Sequence, residues 1–156
     1  MKLIVLLADA AQAGPAGKVH ALGLGWTVID TPTSQPASVI VLVIFDRQAD
    51  AVGTHEVTLR LLGDDGTPVT TPDTDEPILI RAGIEVGPQT AEEVQDMPSV
   101  ASFIVNVGPG LPLEPGRRYR WEAEMEGERA SFVFVTRPRP VAASSGAGDA
   151  LGSASS

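Results

Sequence analysis

Apolar residues along this chain fall in short runs separated by Gly, Pro, Asp and Ser, and within most runs they recur at every second position. That period places alternate side chains on opposite faces of an extended strand, whereas a helix needs repeats at three and four. The closing part is the clearest. From Arg118 to Glu126, Tyr119, Trp121, Ala123 and Met125 share one face, with arginines and then glutamates on the other. Glu126-Gly127 reverses the chain into Glu128–Thr136, with Phe132 and Phe134 on one face and Val133 and Val135 on the other. His55–Leu62 sets Val57, Leu59 and Leu61 against Glu56, Thr58 and Arg60, and Asp64-Asp65-Gly66 then supplies a tight turn, since Asp-Gly accepts positive φ. Lys18–Leu22, Trp26–Asp30, Ile78–Arg81 and Ser99–Val107 are further extended segments.

Two segments depart from simple alternation. Ser38–Phe45 is apolar on both faces, so it has to bury both, inside its own domain or against a partner chain. Val39, Val41, Val43 and Phe45 are the candidate interface. The opening MKLIVLLADAAQAG superficially resembles a secretory signal. Its unbroken apolar run is only Leu3–Leu7, against about 7–15 residues in a signal, and Asp9 follows at once. The pattern predicts a first strand that belongs to the domain. Helical signal is confined to Thr90-Ala91-Glu92-Glu93, which has the form of a capping box, and Pro98 limits any helix there to about two turns.

About eight turn-separated strands are best satisfied by an all-β fold: a two-layer antiparallel β-sandwich, Ig-like or jelly-roll-like, with at most one short helix. The domain spans 1–138. The Ala/Ser/Gly-rich stretch 139–156 buries too little apolar area to offset its ordering entropy and reads as a disordered tail. In Leu113–Trp121, Pro115-Gly116 suits the centre of a type II turn, and Tyr119 is placed to return its hydroxyl to the backbone as in a tyrosine corner. Trp26, Pro115, Gly116, Tyr119 and Trp121 are therefore read as structural.

Leu6-Leu7-Ala8-Asp9-Ala10-Ala11, Leu22-Gly23-Leu24-Gly25-Trp26 and the closing Leu113-x-Pro-Gly-x-x-Tyr-x-Trp121 resemble an uncharacterised bacterial domain family, a domain of unknown function. The resemblance covers most of residues 1–136. It implies that the first strand is part of the fold, and it implies no activity.

Composition narrows the rest. A chain of 156 residues can bury a core of its own, and it contains no cysteine, which removes disulfides and thiolate metal sites. The net charge of −9 opposes binding to nucleic acid and to anionic membranes. The longest apolar run, Val39–Phe45, is far below the ~18 residues of a membrane-spanning helix. A cytoplasmic location fits these features.

Catalytic signals are sparse. His20 and His55 lie in or beside strands, no Gly-x-Ser-x-Gly elbow occurs, and no cofactor motif is present; Gly23-Leu24-Gly25 has no third glycine and no helix after it. Asp64-Asp65 and Asp73-x-Asp75-Glu76 are the metal candidates, because loops at one end of a sandwich can gather the six to eight oxygens that calcium takes. Arg117, Arg118, Arg120, Arg137 and Arg139 could meet an acidic partner or remain solvated. The first reading is a non-catalytic binding or assembly module, joined to an unidentified protein or to itself as a homodimer. A calcium- or carbohydrate-binding sandwich and an enzyme with an unrecognised site are the alternatives.

Overall fold

The computed structural model describes residues 1–14, 17–88 and 91–140. Ten strands follow in order: β1 (Lys2–Ala8), β2 (Ala10–Ala13), β3 (Val19–Leu22), β4 (Val28–Thr31), β5 (Ala37–Phe45), β6 (Gly53–Gly63), β7 (Leu79–Val86), β8 (Ser99–Val107), β9 (Arg118–Met125) and β10 (Glu128–Pro138). One helical turn, α1 (Gln48–Ala51), links β5 to β6, and a 3-10 turn at Glu92–Val94 precedes β8. Thr90 of the expected capping box lies outside the described residues, as does the tail from residue 141; Glu92 and Glu93 enter only the 3-10 turn.

The strands form a sandwich of a three-stranded sheet, order β1-β5-β8, and a five-stranded sheet, order β4-β10-β9-β6-β7. The core lies between them. From the three-stranded layer come Leu3, Val5, Leu7, Val39, Val41, Val43 and Phe45. Val57, Leu59, Leu61, Tyr119, Trp121, Ala123, Met125 and Phe134 face them from the five-stranded layer. The alternation in β6 and β9 thus becomes one buried and one wet face. On the wet face, Arg60 reaches Glu124 at 2.8 Å and Arg129 reaches the same carboxylate at 3.2 Å, the cross-strand pairing expected of opposed charges.

Two features exceed a plain antiparallel two-layer plan. β4 runs parallel to β10, with Val28 beside Val135 and Thr31 beside Pro138. β2 and β3 form a separate hairpin whose Ala11 packs over Ala8 and Ile40, on the outside of the three-stranded sheet. The Ala11 amide donates to Ser38 Oγ at 2.9 Å, and Ser38 Oγ donates to Asn106 Oδ1 at 2.6 Å, which ties the hairpin to β5 and β8. This answers the two-faced strand. Val39, Val41, Val43 and Phe45 face the core at 0–3% exposure, and Ile40 on the opposite face lies under the hairpin. The expected interface set is therefore interior and unavailable to a partner; Leu42 and Ile44 are the members of β5 left half-buried on the outside.

Candidate functional site

The segments that begin and end the domain converge around Trp26. Asp9, between β1 and β2, donates its amide to the Leu22 carbonyl at 2.9 Å, and the Gly25 amide bonds the Leu7 carbonyl at 2.7 Å. Gly23 has φ +62 and sits directly on the Asp9 carboxylate, so any side chain there would collide with it. Trp26 meets Phe134 edge-on at 6.0 Å, and Phe134 stacks on Tyr119 at 6.0 Å. Beside this aromatic row lies a recess of ≈ 230 Å³, lined among others by Asp9, Trp26, Asp30, Thr33, Arg137 and Arg139. That volume is below the roughly 300–1,000 Å³ of ordinary small-molecule sites. Arg137 is paired with Asp30 at 2.5 Å, and Arg139 Nη2 donates to the Pro32 carbonyl at 2.7 Å. The buried Trp26 indole N–H has no partner among the described residues.

On the same stretch of β10, the turn through Pro115 and Gly116 (φ 73) is pinned at Thr136, whose carbonyl accepts from the Gly116 amide at 3.0 Å. The Tyr119 hydroxyl accepts from the Glu114 amide at 3.0 Å, and Thr136 Oγ1 accepts from the Arg117 amide at 3.0 Å. Trp121 is 2% exposed and makes part of the core floor.

The acidic candidates are occupied with their own turns. Asp65 Oδ1 accepts from the Thr67 amide at 2.9 Å, and that bond, then the one from the Thr67 side chain, holds its carboxyl below the usual carboxylate range. Asp75, at φ 55, accepts from the Thr70 hydroxyl at 3.0 Å, and Glu76 Oε2 takes the Thr74 hydroxyl at 3.4 Å. Asp64 and Asp73 flank these turns. Among the described residues no group of three or more His, Asp or Glu is placed to hold a metal ion, so the two clusters are not joined into a calcium site.

Nor do the histidines meet. His20 stands opposite Gln12 in the hairpin, while Asp9 lies at the far end against Gly23. His55 is 8% exposed, tilted on Phe45 at 4.8 Å, with Nδ1 2.7 Å from Glu126 Oε1 and Nε2 2.9 Å from the Ala51 carbonyl. Both partners only accept, so the doubly protonated ring satisfies both. The Glu126 bond first, and the Ala51 bond second, raise its pKa above the ordinary imidazole value.

The open side of the sandwich, between β7 and β8, was not foreseen as a site. Among the described residues β7 ends the five-stranded sheet and pairs only with β6. Its inward residues Ile80, Ala82, Ile84 and Val86, and Phe103 and Val105 of β8, pack on the core yet stay half-buried. The signal was present in the period-two pattern from Leu79 to Val86, which Ala82-Gly83 masks as a break. No curated protein is similar to this chain. The three motif segments that meet in the fold lie within one stretch, residues 3–134, that matches a family of unknown function (DUF6941), and the chain belongs to that family.

Proposed function

We propose that this domain is a non-catalytic assembly module that associates with a second copy of itself. The observation that supports the reading is the open side of the sandwich. Among the described residues β7 has no strand on its outer side, and its inward residues are only half-buried. An unprotected edge of this kind is a template for another strand. Pairing there would satisfy the free backbone groups and complete the cover over Ile80, Ile84 and Val86. Closed two-fold assemblies are the commonest form of soluble homo-oligomer. Light scattering coupled to size exclusion tests the reading directly. A dimeric mass that falls to the monomer on dilution is expected, and a monomer up to about 0.5 mM, weaker than any useful affinity, rejects it.

A second reading has one observation in its favour. The partnerless indole N–H of Trp26, beside a recess carrying Asp9 and Arg139, suits a small ligand group that brings a hydrogen-bond acceptor. A ligand of the native state must raise the melting temperature. A melting screen of small carboxylates, sugars and nucleotides, with no member shifting the wild type more than Trp26→Phe, rejects it.

A further inference from the structure

Strand β7 is eight residues long, with no Pro or Lys and an unbroken register to β6 from Leu79 opposite Arg60 to Val86 opposite Gly53. Of the usual guards of a sheet edge it lacks Pro, Lys, a bulge and shortness, and the charges it does carry, Arg81 and Glu85, are of opposite sign. Among the described residues its backbone bonds only to β6, so alternate N–H and C=O groups point away from the sheet. On the outer face stand Arg81, Gly83 and Glu85, all exposed, and neither Arg81 nor Glu85 has an ion-pair partner among the described residues. On the inner face are Ile80, Ala82, Ile84 and Val86.

Read in both directions from Gly83, this pattern is complementary to itself. The geometry points to a dimer in which β7 pairs antiparallel with β7 of the second copy about a two-fold axis at Gly83, a deepening that rests on the assembly reading above. In that register Arg81 of each copy stands opposite Glu85 of the other. Ala82 stands opposite Ile84 and Ile80 opposite Val86, so the inner face continues as an apolar one. Gly83 stands opposite itself, where the absence of a side chain lets the two outer faces meet without crowding.

Neighbouring registers are poorer. Moving the axis by one residue sets each charge opposite Gly or Leu79. Moving it by two sets Arg81 against Arg81, or Glu85 against Glu85, and like charges directly opposed are destabilising. Charge thus selects one register, although each copy carries a net −9 that opposes contact at long range.

Two measurements on the full chain test the register. Reversing one charge, R81E or E85R, replaces two attractive pairs by two repulsive ones and weakens dimerisation about ten-fold, while the double variant R81E/E85R restores both pairs and the affinity. Because the chain has no cysteine, Gly83→Cys is a sole reporter. A Cβ at Gly83 meets only Thr54 Cγ2, at 3.4 Å, so the substitution fits the fold. Opposed antiparallel residues lie about 4.5–5.5 Å apart at Cα, within the span a disulfide bridges, so mild oxidation yields a covalent dimer. Glu56→Cys, one strand inward, remains uncrosslinked. A dimeric wild type with neither rescue by R81E/E85R nor a crosslink through Gly83→Cys overturns this register and leaves the assembly reading standing. A wild type that is monomeric throughout overturns both.

Discussion

His55 is a single ring held between two acceptors, the Glu126 carboxylate on the β9–β10 turn and the Ala51 carbonyl at the end of α1. Folding raises its pKa, so protonation favours the folded state. The resulting stabilisation is complete below the unfolded imidazole value near 6.5 and is lost as pH rises through the higher folded value. Melting temperatures measured from about pH 6 to about pH 9 should therefore fall, and His55→Leu should lose that part of the slope while melting lower overall. Two other side chains fasten the Pro115-Gly116 turn. Tyr119→Phe strands the Glu114 amide and should cost about 1–2 kcal/mol in denaturant unfolding. Thr136 is 4% exposed and serves both the Glu114 carbonyl and the Arg117 amide, so Thr136→Val should cost more, about 2–3 kcal/mol. At this scale much was legible, because Pro-Gly followed by Tyr at a fixed offset carries its own local geometry. The partners of His55 were not, since Glu126 and Ala51 are brought to it by the turn of another hairpin and by a helical turn that no periodicity announces.

Strands rather than residues decide which faces are buried. Two apolar faces on β5 were evident from composition alone, yet which one points at the opposite sheet depends on pairing that a single strand does not reveal. Both faces read alike, and the odd-numbered set proved to be the core. Val41→Ala should therefore cost about 2–3 kcal/mol through the cavity left at a fully buried site, and Leu42→Ala, half-buried on the outer face, clearly less. A comparison of the two by urea unfolding checks the assignment. The strand β2 escaped notice because Ala10–Ala13 has neither β-branched residues nor contrast between faces, and its pairing with β3 supplies what its composition lacks. The parallel contact of β4 with β10 joins residues more than a hundred positions apart, as in the Arg137–Asp30 pair, and leaves no local trace. The glycine at position 23 belongs to this scale too. With φ +62 and the Asp9 carboxylate against it, Gly23→Ala should loosen the hairpin and lower the melting temperature, whereas Gly87→Ala, with open space around it, should do little.

For the whole molecule, two sheets enclose one core, and what distinguishes its surface is unevenness. The outer face of the five-stranded sheet carries interleaved charges, including Arg60, Glu124 and Arg129, that neutralise one another locally. The acidic turns at Asp65 and Asp75 keep their carboxylates for neighbouring amides and hydroxyls. Millimolar CaCl₂ should accordingly leave the melting temperature where EDTA leaves it, because only a ligand of the folded state raises it. Sandwich class and the place of β1 within it were readable from pattern, since both rest on short apolar runs set off by turn residues. The open side was not, because an edge is a property of the finished sheet order.

The far margin of the same sheet is built differently. β4 has only four residues, it runs straight into Pro32, and Arg139 is laced back over it through the Thr31 and Pro32 carbonyls. A strand so brief, closed by a residue with no amide hydrogen, offers no foothold to a newcomer. The five-stranded sheet therefore has one open border and one sealed one, and the pairing proposed along the first would use it up in both copies. A dimer formed there would leave this sheet no bare margin on which a further copy could add, and so no start for a fibre along it.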